Sequence, residues 1–181
     1  MKRNVKDSLS SLDFLKRLLI YSLLTLFLGC TQCAFFPLLD FLPATPDLII
    51  VMLTAIALLD SNNSAAVCAV AAGFFVDSVG ASGPAISPLI YFLTVLLIGS
   101  FTGKMLKSLP SFLLLLLPTL LCRALGTVFG AMAFYRSLPP VWVFTRAILP
   151  EALFTLLFAV PVYFLVKLCT VPLKKRGKFT F

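Results

Sequence analysis

Hydrophobic positions in this chain run in long unbroken blocks, with no sustained helical or strand alternation, as expected where lipid is the solvent. A membrane-crossing helix needs about 20 apolar residues, each rising ~1.5 Å, to pass ~30 Å of hydrocarbon. Six blocks are read as spans: residues 18–39, 46–60, 65–79, 86–102, 111–135 and 143–168. The second is the odd one. Only Leu48 to Leu59 is uninterrupted apolar sequence there, a length of roughly 18 Å, which predicts tilt, local thinning of the bilayer or partial re-entry.

The polar punctuation supports these boundaries. Thr45-Pro46-Asp47 reads as a helix start, with threonine at the N-cap, proline in the first helical position and a carboxylate facing the helix dipole. Asp60-Ser61-Asn62-Asn63-Ser64 reads as a polar turn, Gly80-Ala81-Ser82-Gly83-Pro84 as a break, and Arg136 to Val141, with two prolines, as a loop. Pro161 is expected to bend the last helix. The pattern predicts an all-α integral membrane protein, a bundle of six transmembrane helices.

Composition strengthens that class. Sixty per cent of the 181 residues are hydrophobic and twelve per cent charged, about half the charged share of an ordinary soluble domain. So little polar surface cannot cover a water-soluble globule.

Charge adds orientation. Lys2, Arg3, Lys6, Lys16 and Arg17 precede the first span, Lys104 and Lys107 sit in one loop, and Lys167, Lys174, Lys175, Arg176 and Lys178 close the chain. With six spans, these twelve basic residues fall on one side, against Arg136 and Arg146 on the other. The positive-inside bias then makes both termini cytoplasmic, with exterior loops near Pro43, Ser82 and Pro139 and with Tyr135 and Trp142 at the outer boundary. The domain reading is a basic cytoplasmic segment at 1–17, a transmembrane domain at 18–168 and a basic cytoplasmic tail at 169–181. The same clusters suit contact with anionic membrane lipids; placed at span ends, they do not form a nucleic-acid footprint.

Little chemistry for catalysis is present. The chain has no histidine, no serine or cysteine nucleophile beside a base, and no phosphate-cradling glycine loop, so neither an enzyme nor a cofactor is expected. Cys30 and Cys33 form a C-x-x-C, but without a second pair or a histidine there is no metal site. All five cysteines lie in apolar runs and read as small hydrophobes. Leu28-Gly29-Cys30 loosely imitates a lipoprotein signal, but the apolar run continues past it to Leu39.

The informative residues are the ionisable ones inside spans: Asp77, Arg123 and Glu151. Such groups face protein or water and pair with one another, so Arg123 is expected within ion-pair reach of Asp77, Glu151 or both. Ala65, Ala69, Gly73 and Asp77 recur every four residues, a small-residue stripe suited to close helix contact. Arg123, Gly126, Thr127 and Gly130 share a face of the fifth helix, and Glu151 shares its face with Ala147 and Thr155. Counted from the span ends, the three charges lie at one depth, roughly 12 Å below the outer surface. They serve either as a clamp between helices or as a binding or switching site.

The ordered set Thr45-Pro46-Asp47-Leu48, Gly73-Phe74-Phe75-Val76-Asp77-Ser78-Val79-Gly80 with Gly83, Leu149-Pro150-Glu151 and Val160-Pro161-Val162-Tyr163-Phe164 resembles the rod shape-determining protein MreD family of bacteria. Length, span number and basic ends match across nearly the whole chain. The resemblance implies a non-catalytic scaffold in the cytoplasmic membrane, part of the elongation machinery that synthesises lateral peptidoglycan. It implies an MreC-like bitopic protein as direct partner, within a larger complex of RodA, a class B penicillin-binding protein, RodZ and MreB. The rival reading is a small-molecule-binding subunit resembling the substrate-binding component of an energy-coupling-factor transporter, with Asp77, Arg123 and Glu151 lining its cavity. Against it, the first helix lacks the A-x-x-x-A docking pattern of such subunits.

Overall fold

A computed structural model describes residues 2–38, 44–80, 86–102, 105–135 and 144–176. The described residues form six long helices and no strand. Helix α1 covers Lys2–Cys30 and continues through a π-helical turn, Thr31–Phe35, and a 3-10 turn, Phe36–Leu38. Helix α2 is Leu48–Leu59, α3 Asn62–Gly80, α4 Ser87–Thr102 and α5 Leu109–Tyr135. A π-helical turn, Phe144–Ile148, leads into α6, Leu149–Arg176. Three stretches, Phe14–Leu38, Leu109–Gly130 and Phe144–Thr170, are long and apolar enough to cross a bilayer on their own. The architecture is the all-α membrane bundle that the apolar blocks predict.

The short second block is the centre of the molecule. Every residue from Leu48 to Leu59 is buried, and α2 touches each of the other five long helices. A helix that is apolar on all sides has no face to present to water and is stable only when surrounded. Surrounded by protein, α2 has no need to reach either membrane surface. Enclosure by longer helices is enough to account for its shortness.

The outer helices bury one stripe each. On α1 that stripe is Tyr21, Leu24, Thr25 and Leu28, continued by Gln32 and Phe36, at helical spacing. Large apolar side chains point the other way: Leu19, Leu23 and Phe27 on α1, Leu121, Leu125 and Phe129 on α5, and Leu149, Leu153 and Leu157 on α6. Contiguous apolar surface on this scale is what a lipid-facing exterior requires.

Several boundaries differ from the sequence expectation. Residues 2–17 are helical and continuous with the first span. The N-cap of α2 is Asp47, not Thr45: the Asp47 carboxylate accepts the Ile50 N–H at 3.1 Å, so Pro46 precedes the helix. Helix α3 starts at Asn62, because the Ser61 hydroxyl accepts the Ser64 N–H at 3.2 Å and caps it; the link from α2 is only Asp60-Ser61. Helix α6 passes through Pro161 as one continuous helix and runs on to Arg176, beyond the Leu168 boundary. The expected loops near Pro43, Ser82 and Pro139, with Gly83, Lys104, Arg136 and Trp142, lie outside the described residues.

The small-residue stripe of α3 works internally. Ala65, Ala69 and Ala72 are fully buried. At Gly73 a Cβ would overlap the backbone of Pro88 at the start of α4, so only glycine allows this approach. Gly126 of α5 faces α4, where a Cβ would lie 2.6 Å from the Ile90 Cδ1, and Gly130 faces the residue just before α4, where a Cβ would lie 3.3 Å from the Ile86 Cδ1. Gly126 and Gly130, spaced as G-x-x-x-G, thus form a packing face within the chain. Gly80 is the last residue of α3.

Candidate functional site at the charged ends of the central helix

A buried helix end leaves backbone N–H groups that water cannot reach, and each must find another partner. At the start of α2 three elements supply them. The Asp47 N–H donates to the Thr155 hydroxyl of α6 at 2.9 Å. The Ile49 N–H donates to the Gln32 side-chain oxygen, from the π-helical turn after α1, at 3.3 Å. The Ile50 N–H is taken by Asp47 itself. Thr155 in turn donates its hydroxyl to the Glu151 carbonyl at 2.6 Å.

The Asp47 carboxylate, 2 % exposed, is the hub of this end. Tyr91 of α4 donates its hydroxyl to both Asp47 oxygens, at 3.1 and 3.0 Å. The Arg123 Nε lies 3.0 Å from Asp47 Oδ2, an ion pair whose N–H is not aligned for a hydrogen bond. The guanidinium also sits over the Tyr91 ring, 5.5 Å from its centroid, a cation–π contact. Glu151 joins less tightly, its Oε1 3.7 Å from Arg123 Nε and its side chain 27 % exposed. Charges in an apolar medium are tolerated when opposed and hydrogen-bonded, and four of the six helices contribute to meeting that condition here.

Of the alternatives open to Arg123, one is realised. Of the two partners anticipated for Arg123, Glu151 is in reach, but Asp77 is not its ion-pair partner. Asp77 instead accepts the N–H of Ser87, the first residue of α4, at 3.1 Å, capping that helix from α3. The capping contact and the Gly73 approach bind the same two helix ends, so the Gly73–Asp77 face serves one junction. Pro150 lies in the first turn of α6 beside Glu151, where a missing N–H costs little and a carboxylate complements the dipole.

The opposite end of α2 repeats the chemistry. Asp60, 4 % exposed in its side chain, pairs with Arg17 of α1 at 2.7 Å and accepts the Tyr21 hydroxyl at 2.9 Å. Lys107 donates to the Leu59 carbonyl at 3.1 Å, a cation at the negative end of the helix dipole. Each end of the central helix thus carries an aspartate held by one arginine and one tyrosine.

Asp47, Asp60, Tyr21, Tyr91 and Gln32 were not grouped with the intramembrane charges by sequence reasoning. The available signal was an aspartate flanking each end of a block too short to reach both surfaces. Among the described residues no three histidine, cysteine or acidic side chains converge as a metal would require. The space beside Arg123 and Glu151, between α5 and α6, is about 20 Å³.

No family model, curated protein or solved structure matches this chain.

Proposed function

We propose that this chain is a non-catalytic membrane scaffold of the MreD kind, which holds the single transmembrane helix of an MreC-like partner in the bacterial elongation complex. The observation that carries the reading is where the resemblance residues fall. Asp47 caps and anchors α2, Gly73 admits α4, Asp77 caps α4, and Glu151 faces Arg123. The residues that carry the likeness are the ones that lock the bundle, as suits a protein whose task is to present a fixed surface.

The exterior then offers lipid-facing helix sides, and within a bilayer such sides recruit partners by close packing and a few polar bonds. Among the described residues the space beside Arg123 and Glu151 is about 20 Å³, room for roughly one water, so these two side chains do not by themselves wall a site of the ~300–1,000 Å³ that drug-sized ligands occupy. In this proposal the protein sits in the cytoplasmic membrane with both termini inside, and RodA, a class B penicillin-binding protein, RodZ and MreB join through the wider complex.

Depletion from a rod-shaped host, combined with mild-detergent co-purification, tests it. The expected result is rounded cells, slower lateral wall synthesis and recovery of the MreC-like partner. Normal cell shape together with no association with the partner's membrane segment would overturn it.

A further inference from the structure

The first helix sorts its side chains by direction. Tyr21, Leu24 and Leu28 face the bundle, and Arg17, one turn before Tyr21, is spent on Asp60. Two grooves flank this buried stripe. One, about 330 Å³, lies between α1 and α3 and is lined on α1 by Leu18, Ser22 and Thr25. The other, about 580 Å³, lies between α1 and α6, with Ile20, Leu23 and Phe27 on one wall and Leu165 and Cys169 on the other.

The grooves differ where they open toward the amino-terminal side. One turn before Ile20 stands Lys16, which is exposed. Lys16, Ile20, Leu23 and Phe27 follow the i, i+4, i+7, i+11 spacing of a single helix face. One turn before Leu18 stand Phe14 and Leu15, exposed but apolar, and on the facing helix α3 begins with the uncharged Asn62-Asn63-Ser64. On α1, then, a cation leads into the larger groove and apolar side chains lead into the smaller.

Length selects what the larger groove can hold. Ile20 to Cys30 covers ten residue steps, ~15 Å at ~1.5 Å per residue. That is half of the ~30 Å hydrocarbon core, one leaflet deep. A transmembrane helix needs the whole thickness, whereas an acyl chain needs its own leaflet alone, with its phosphate at the interface that a lysine side chain reaches by snorkelling. A second copy of this chain is disfavoured on the same face. Copies share one orientation in a membrane, so a two-fold contact there sets two Lys16 side chains together at one depth.

We infer that the α1–α6 groove is a binding site for an anionic phospholipid of the leaflet on the amino-terminal side. One acyl chain lies along Ile20, Leu23 and Phe27, and the Lys16 ammonium pairs with the head-group phosphate. A zwitterionic lipid fills the groove equally well, but its own cation offsets the gain at Lys16, so the preference is for net negative charge.

Tryptophan fluorescence of the purified full-length protein tests this, in vesicles containing phospholipids brominated in their acyl chains. With Trp142, the single tryptophan, changed to phenylalanine, the reporter is Leu23→Trp in the larger groove or Val67→Trp in the smaller. Both positions are exposed and accept a larger side chain. At position 23 brominated phosphatidylglycerol should bind about fivefold more tightly than brominated phosphatidylcholine, the effect of one basic residue at an anionic surface. At position 67 the two should quench alike. Lys16→Ala should remove the preference at 23 and Lys16→Arg should keep it, which separates charge from any disturbance of the helix. Equal quenching by the two lipids at 23, or the same preference at 67 or in Lys16→Ala, would overturn the site. Quenching by neither lipid at 23 would show that protein covers the groove, and would overturn it as well.

Discussion

Arg17 and Asp60, 43 positions apart in the chain, meet at 2.7 Å and fasten the first helix to the end of the second. Lys16, the neighbour of Arg17, is exposed. The two adjacent basic residues therefore do different things, one structural and one at the surface. Breaking a buried ion pair by removing one partner costs about 3–5 kcal/mol, and less where one partner reaches solvent, as Arg17 does at 28 %. Arg17→Ala should cost about 2 kcal/mol and lower the thermal midpoint in mild detergent, while Lys16→Ala leaves it unchanged. Equal midpoints for the two variants would contradict the assignment.

Asp47 should be the most sensitive acid in the molecule. Asp47→Ala strips the Ile50 N–H of its cap, the Tyr91 hydroxyl of its acceptor and Arg123 of its nearer partner. The loss expected is about 3 kcal/mol or more, read as reduced accumulation in membranes. A double-mutant cycle should give stronger coupling of Arg123 with Asp47 than with Asp77. The reverse order would refute the geometry described.

Gly73 and Gly130 separate two kinds of glycine. Gly73→Ala forces a methyl into the Pro88 backbone, whereas Gly130→Ala meets the Ile86 side chain at 3.3 Å, which yields by a few tenths of an ångström. The first variant should lose about 2 kcal/mol or more, the usual scale of overpacking, and the second well under ~1 kcal/mol by the same principle. Melting curves of the purified variants decide between them.

Orientation is accessible to labelling. In a cysteine-free background, single cysteines at Pro43, Ser82 and Pro139 should react with an impermeant reagent from outside, and cysteines at either terminus should not. The motive is the twelve-to-two division of basic residues between the two sides. An exterior carboxyl terminus would sink the six-span arrangement.

The sequence alone determined the medium and the class, because apolar blocks of that length cannot be dissolved in water and can only become helices in lipid. It also marked Asp77, Arg123 and Glu151 as constrained, since ionisable groups inside spans must find partners. Which partners they find was a matter of tertiary structure. Helical periodicity reports the face of a helix, but not which neighbour that face meets. Asp47 and Asp60 looked like ordinary end-of-helix residues, and only the enclosure of α2 turned them into buried charges that need an arginine and a tyrosine each. That enclosure was hidden for a physical reason. A block apolar on every side has the same hydropathy whether lipid or protein surrounds it, and only packing with the five other helices distinguishes a central pillar from a short span.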